Sequence, residues 1–482
     1  MLPETTPMIP CLHRNSNSGK PERILRCGIL YLCAALVACS LGLAQDKLGA
    51  LDLLRLAKSG GPELAQGVTK TFSAIELEQG TAWKGHLSSF FFAITTPASS
   101  KPALMIDGTA GPEMQQIPNS SLWYASAEVS KLGAIHSFYY VVQGKRVGGS
   151  TDLPAFGPLA YLQLNVPSGT LSQPLLHTSK IYDGLQTTYW TYVPARYDPK
   201  VPAALMVFQD GQWYMDRDGN IPLLNVLDNL IAQKKIPVIV CVFVSPGKIG
   251  NAPGTPTYAF AKAYADKWHR QLEDAMRSTL YDTVSDRYPR FLRDELLLEV
   301  EAKYNIRKDA YSRGIMGLSS GGISSFNAAW QMPDQFSRVI SWIGSFTSIQ
   351  WRENPENLDG GQDYPEKVLH ETKRNIRVWL QDGSRDLQFG SPQRNYGNWP
   401  AANFRLANAL KAAGYDFHFS FGEGSHNGAH GAVELPEELI WLWRDYDPAK
   451  TQQNYEQDTD EQAKPPFRFT LVDRDVDRDL GK

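Results

Sequence analysis

Beyond residue 39 the chain has almost no cysteine. Cys11, Cys27, Cys33 and Cys39 come early, and only Cys241 follows. One thiol cannot close an internal disulfide or build a thiolate metal cluster. Cys241 lies in the apolar run PVIVCVFV, where it is expected to be a buried small hydrophobe. Excess charge is lacking too: 48 Lys and Arg against 51 Asp and Glu leave a net charge of −3. With no long Lys/Arg stripe, a nucleic-acid or polyanion partner is not expected. There is no internal repeat. A zinc-protease pattern is also missing: His426 and His430 are four apart, but Asn427 and Gly428 stand where such a helix needs Glu. No metal or other cofactor is expected. What remains is globular composition, 42% hydrophobic and 21% charged over 482 residues, enough for two or three domains with real cores.

Arg23 and Arg26 precede the apolar run CGILYLCAALVACSLGLA, and the small residues Gly42 and Ala44 precede Gln45. That order of basic, apolar and small residues predicts a secretory signal over residues 1–44, cleavage after Ala44, and a secreted or periplasmic protein. A second reading stays open: LVAC, residues 36–39, resembles a bacterial lipoprotein box, and lipid on Cys39 would tether the protein to a membrane. The run falls slightly short of the about 20 residues of a comfortable membrane span.

Residues 65–165 read as short strands from about Lys70, among them SSFFFAITTP, PALMID, LWYASAEV and SFYYVVQGKRV, separated by turn clusters. This predicts a small all-β sandwich. It gathers no titratable cluster, so support or substrate recognition is expected of it. LPAFGPLAYLQLNVPSGTLSQP reads as a linker. From about residue 175 to 447 apolar strands such as AALMVFQD and IPVIVCVFV alternate with helical patterns such as LLNVLDNLIAQ and PAANFRLANALKAAG. The alternation predicts a doubly wound α/β domain, its mostly parallel sheet covered on both faces. Residues 247–271 interrupt it and suggest a lid or substrate loop. Residues 448–482, rich in charge, Gln and Pro, read as an extension or strap.

Gly317-Leu318-Ser319-Ser320-Gly321 fits G-x-S-x-G. Alone the motif is weak. Here a short strand precedes Ser319 and a helix follows, which is the turn that lifts a nucleophile above a sheet edge. Ser320, Ser324 and Ser325 lack the flanking glycines and read as helix residues. A nucleophilic serine needs a base, and the base an orienting acid, in the chain order Ser, Asp or Glu, His. Of the later histidines, His370 reads as surface and His418 as a strand residue. His426 follows the last apolar strand, at the end where ligand crevices form, with His430 as the alternative. The acid should follow the strand VWLQDGSRDLQ. Asp386, beyond the Gly383-Ser384 turn, can face the histidine loop; Asp382 is the alternative, or holds the turn. The oxyanion donors are expected to be the backbone N–H groups of Ser320 and Gln212, with Gly211 letting the backbone approach a ligand.

At this point seven blocks look familiar: VFQDGQWY, VLDNLI, YDTVSDRYPRFL, GLSSGGISSFNAAWQMPDQFSRVISWIGSF, RVWLQDGSRD, GNWPAANFRLANALKAAGYDF and GEGSHNGAHGAVELPEELIWLWRDY. Spread over residues 189–446, they resemble the esterase D-like family of α/β hydrolases, in particular its enterochelin-esterase-like branch. HSFYYVVQGKRVGG resembles the early-set, immunoglobulin-like domain that often precedes it. The resemblance implies an α/β-hydrolase fold and a cofactor-free serine esterase with Ser319 as nucleophile, Asp386 as acid and His426 as base. His426 stands nine residues before Leu435, where the family's base falls, and His430 does not. One departure concerns the substrate: RSTLYD, residues 277–282, has Leu280 where the family block has an acidic residue. The family divides among siderophore-ester hydrolysis, feruloyl or acetyl ester hydrolysis on plant polysaccharide, S-formylglutathione hydrolysis and mycolyl transfer. Export and an added sandwich fit the first two best, so the expected partner is a small-molecule or polysaccharide-linked ester. Trp213, Tyr214, Tyr396 and Trp399, with Tyr281 of the divergent block, are the candidate substrate-facing aromatics. The rival readings are a non-catalytic carbohydrate-binding protein of the same fold, and an acyltransferase.

Overall fold

The computed structural model describes residues 47–97, 100–247, 258, 262–263, 265–266, 272–347, 360–389, 397–468, 470–473 and 476–479. The expected signal segment, most of residues 247–271, and Tyr396 lie outside the described residues.

Three helices, Ala50–Ser59, Pro62–Thr71 and Ala74–Gln79, come first. Strands expected from about Lys70 therefore start only at Ala82. The sequence signal for the third helix is a capping box: Ser73 Oγ accepts Glu76 N–H at 3.2 Å, and the Glu76 carboxylate accepts Ser73 N–H at 2.7 Å.

Eight antiparallel strands follow: β1 (Ala82–His86), β2 (Ser89–Thr95), β3 (Ala103–Ile106), β4 (Thr109–Glu113), β5 (Gln115–Gln116), β6 (Leu122–Glu128), β7 (Ala134–Val142) and β8 (Lys145–Ala155). They form two four-stranded sheets, β1-β2-β6-β5 and β4-β3-β7-β8. The run Phe90-Phe91-Phe92 shows why β2 is apolar throughout. Alternate strand side chains face opposite ways. Phe90 and Phe92 meet Leu104, Phe138 and Tyr140 between the sheets, while Phe91 packs against Leu53, Leu64 and Val68 of the helices.

The main sheet comprises β9 (Thr170–Leu171), β10 (Leu175–Thr178), β11 (Gln186–Val193), β12 (Ala204–Gln209), β13 (Ile239–Val244), β14 (Arg313–Leu318), β15 (Arg338–Trp342), β16 (Arg377–Arg385) and β17 (Asp416–Ser425). Its order is β10-β11-β13-β12-β14-β15-β16-β17, with β9 also on β11. β12 to β17 are mutually parallel, and β9, β10 and β11 pair antiparallel at one edge. The segment read as a linker thus supplies the end of β8 and the short strand β9, whose pairing satisfies backbone groups that an edge would leave open. The rest of that segment is docked. In the helix Leu223–Ala232, Asn225 donates to Ala160 O at 3.0 Å and Asn229 to Leu159 O and Tyr161 O, both at 2.8 Å. Polar residues in an otherwise apolar helix are spent on holding the connection to the sandwich.

Every residue of β12, β13, β14 and β15 is buried, as a sheet covered on both faces requires. The tail is a strap where it is described: Tyr455 N donates to Asn375, and Phe467 exchanges two hydrogen bonds with Asn408. The chain passes from β12 to β13 on one side, whereas β14 lies on the other. The crevice between the carboxyl ends of β12 and β14 is therefore the point where strand order reverses and ligands bind in such sheets.

Candidate active site

Ser319 stands at that point. It follows β14 and precedes the helix Ser320–Gln331, with φ 59° and ψ −119°. Such a backbone is costly for a residue with a Cβ and persists only where its surroundings over-determine it. The flanking glycines show how. A Cβ on Gly317 would lie 2.2 Å from Gly321 O, so strand and helix can only close on each other if that atom is missing. Ser319 N donates to Trp342 O on β15 at 2.9 Å, and Ser319 O accepts Ser345 N–H at 3.1 Å.

His426 Nε2 lies 2.9 Å from Ser319 Oγ, and its Nδ1 hydrogen-bonds Asp386 Oδ1. The two residues reach across by one local device. β16 and β17 pair in register up to Gly383, then shift between Gly383 and Arg385. Gly383 is pressed against β17 so closely that a Cβ would sit 2.2 Å from Gly424 O. The extra residue is on β17, between Gly422 and Ser425; the bulged strand bends there, as bulges do, and brings the loop that carries His426 to Asp386. Asp386 is buried, and its Oδ1 also accepts Leu387 N–H.

The oxyanion candidates fall where free N–H groups are expected. Ser320 is the first residue of its helix, where no intrahelical acceptor exists. Gln212 is exposed, within the 3₁₀ turn Gly211–Trp213 that follows β12. Gly211 has another role than the one expected of it. Its missing Cβ makes room for Phe243 of β13, 2.4 Å from where that atom would be, rather than for a ligand. Asp210 enters the turn at φ 53° and is gripped by Arg277, whose Nε and Nη2 donate to its carboxylate at 3.0 and 2.6 Å. The same guanidinium reaches Leu318 O at 3.4 Å, so one arginine ties the Gly211–Trp213 turn to the end of β14.

The other predicted residues divide. Trp213 is 47% exposed beside the turn, and Trp399 packs edge-on to His426 with ring centroids 5.4 Å apart. Tyr281 is 1% exposed, and its hydroxyl lies under the oxyanion turn, 3.4 Å from Asp210 N. Tyr214 is fully buried. Neither tyrosine faces an open site, because aromatic bulk next to a strand end is taken up by the core. His430 accepts from Gln381 at 2.9 Å and meets Glu434 at 3.0 Å, which spends both ring nitrogens away from Ser319. His418 stacks on Trp379 at 4.1 Å, and His370 is exposed on a helix beside Glu366. No group of three or more metal-ligating side chains occurs among the described residues.

Two neighbours of the site were missed. Ser345 Oγ is 3.3 Å from Ser319 Oγ and accepts the Trp399 indole N–H at 3.2 Å. The signal was available: the residues after β15 must stand beside those after β14. The second comes from the sandwich. Asp152 of β8 accepts Ser425 N–H at 3.0 Å and the Asn427 amide at 3.1 Å, gripping the residues on either side of His426. Thr151 adds a contact to Ser425 Oγ at 3.3 Å. Nothing in the sequence marks a partnership spanning more than 270 residues.

A strained serine between strand and helix, at the switch point of a doubly wound sheet and in line with a histidine and an aspartate, defines an α/β hydrolase. The model of the family described as "Esterase: Putative esterase" matches residues 184–442, more than half of the chain, and the chain belongs to that family. Among solved structures it is similar to the enterobactin esterase Fes from Shigella flexneri determined in the presence of enterobactin. Identity is 16% over 80% of this chain and 99% of that chain, with a TM-score of 0.50. It is also similar to the CE1 ferulic acid esterase AmCE1/Fae1A from Anaeromyces mucronatus, 13% identical over 59% of this chain and 94% of that chain, TM-score 0.43. At 16% identity the likeness to the enterobactin esterase is one of fold. No curated protein matches the chain.

Proposed function

We propose that the protein is an exported serine carboxylesterase that works through an acyl-enzyme. The observation that carries this reading is the hydrogen-bonded line from Asp386 through His426 to Ser319, 2.9 Å at its last step. Ser319 Oγ attacks the ester carbonyl and passes its proton to His426 Nε2. Asp386 holds the imidazole tautomer and stabilises the imidazolium without taking the proton. The N–H groups of Gln212 and Ser320 receive the developing oxyanion; one such donor is worth about 100- to 1,000-fold in kcat. His426 then protonates the leaving alcohol and activates the water that frees the acid.

The substrate is a siderophore ester or a feruloyl or acetyl ester of plant polysaccharide. Trp213 and Trp399 supply exposed and half-buried ring faces suited to a phenolic acyl group or a sugar. Export rests on the basic, apolar and small-residue order of the first 44 residues. Two assays test the reading. Ser319→Ala is expected to abolish p-nitrophenyl acetate hydrolysis while the fold persists; unchanged activity would end the serine mechanism. A screen of methyl ferulate, acetylated xylan and a catechol siderophore ester is expected to give strong preference for one of them.

A further inference from the structure

Asp382, the other carboxylate at the end of β16, is fully buried. Its Oδ1 accepts the Gly383 N–H at 2.6 Å, which fixes the turn. Its Oδ2 meets no donor among the described residues. The same holds for Oδ2 of Asp386, and both atoms are closed off from solvent. The two carboxyl groups bear on each other in that buried space. Asn403, on the helix Trp399–Ala412, reaches the same place, but its amide hydrogens are spent on Gly344 O at 2.9 Å and Trp399 O at 3.1 Å. Its Oδ1 is left as one more buried acceptor without a partner. Three buried oxygens behind Asp386, namely its own Oδ2, Asp382 Oδ2 and Asn403 Oδ1, are thus left without a hydrogen-bond partner among the described residues.

Two carboxylates that bear on each other within a buried site do not both ionise. Asp386 has the partners that favour charge, namely Leu387 N–H and the His426 imidazole. Asp382 has one backbone N–H and the Asn403 amide, and these weigh less than burial and the Asp386 charge. We propose that Asp382 carries a proton on Oδ2 and donates it to Asp386 Oδ2, so that the triad acid is held between an imidazole on one side and a carboxylic acid on the other. Asp382 is then a positioning residue, acting through Asp386; the inference rests on the reading of Asp386 as the acid of a serine esterase. Burial, and after it the Asp386 charge, push the Asp382 carboxyl well above the ordinary carboxylate range, in the same direction. The charged group bearing on it is Asp386; Asn403 and the Gly383 and Gly344 peptide groups are neutral.

The proton has a job. Without it, Asp386 Oδ2 is one arm of a buried anion with nothing to hold it, and the carboxylate can rotate away from the imidazole. Asp382→Asn keeps both functions, because its amide can donate to Asp386 while its oxygen accepts from Gly383. Asp382→Leu keeps the bulk and loses the donor. Asp382→Asn is expected to retain kcat within about threefold, whereas Asp382→Leu loses about 10- to 100-fold in kcat with KM little changed. A second measurement needs no activity. Asp382 is protonated when folded and ionised when unfolded, so its contribution to stability falls as pH rises above about 4. Urea unfolding between about pH 6 and 8 should therefore show the wild type taking up about one more proton on folding than Asp382→Asn. If Asp382→Asn loses as much kcat as Asp382→Leu, or if the two proton counts agree, the proposal fails. Should Asp382→Leu not fold, the kcat of Asp382→Asn and the proton count still decide. Full activity in Ser319→Ala would remove the esterase reading instead and leave the proton count standing.

Discussion

At the amino ends of β14, β15 and β16 the first residue of each strand is a buried arginine: Arg313, Arg338 and Arg377. At the carboxyl ends of the same strands stand Ser319, the Ile343–Ser345 corner, and the Asp382–Asp386 pair. Two of the cations are paired with carboxylates, and the third, Arg338, is held by two carbonyls and a ring cluster while its Nη2 has no hydrogen-bond partner among the described residues. Arg377 pairs with Asp416 at 2.7 Å, Arg313 with Glu301 at 2.6 Å, and Arg338 donates to Tyr311 O and Leu442 O amid the rings of Tyr311, Trp443, Tyr446 and Tyr455. Opposite them, Asp210, Ser319 and Ile343 all take positive φ at the ends of three neighbouring strands, and two carboxyl oxygens lie buried without an outside donor. One end is built to persist. The other keeps strain and crowded carboxyl groups where chemistry needs them, as active sites do.

Breaking each end should therefore show in different measurements. Asp386→Asn, at the strained end, is expected to lower kcat by about 1,000- to 10,000-fold, the order seen when a triad acid is neutralised. Its unfolding free energy should not fall, because a charge leaves a crowded buried site. Steady-state kinetics and urea titration on one preparation check both halves. Arg377→Met is the converse. It leaves Asp416 with Arg444 alone, and unfolding should become easier by about 3–5 kcal/mol, with kcat per folded molecule unchanged. Chemical denaturation combined with active-site titration reads this.

The sandwich sharpens the same contrast, since Asp152 reaches the strained end. Asp152→Ala removes two hydrogen bonds from the loop around His426, and kcat should fall by about tenfold while KM holds. Equal losses in a distant sandwich variant, such as Gln143→Ala, would mean that the domain merely stabilises the whole. The smallest expected effect is on pH. Glu438, fully buried beside the Trp342 indole, is pushed well above its ordinary range by burial and then by Glu434. The folded form keeps its proton while the unfolded chain gives it up, so stability from this group declines as pH rises beyond about 4.3. Glu438→Gln should flatten the slope of stability against pH between about 5 and 8, as equilibrium unfolding would reveal.

How much of this could be read in advance follows the range of the interactions. The elbow was legible because two glycines, a strand and a helix lie within a few residues of Ser319. Asp386 and His426 were legible because each follows a strand whose carboxyl end must share a level with the next. Local pattern failed where two demands overlapped. Residues 70–79 carry enough apolar side chains to pass for strand, and the Ser73–Glu76 cap marks the helix Ala74–Gln79 among them. Gly211 and Tyr281 were read as facing a ligand, yet neighbouring strands and helices fill the space around them. The grip of Asp152 and the donor role of Asp382 had no local signature. Each depends on which groups meet across the fold, and on which are left without a partner when they do.

The central claim is that Ser319 is made nucleophilic by His426. It is tested most directly by treating the purified protein with a fluorophosphonate ester and mapping the adduct by peptide mass spectrometry. One adduct on Ser319, lost in Ser319→Ala and strongly slowed in His426→Ala, is the predicted result. An adduct on Ser345 or elsewhere, or ester hydrolysis that survives full modification of Ser319, would contradict it.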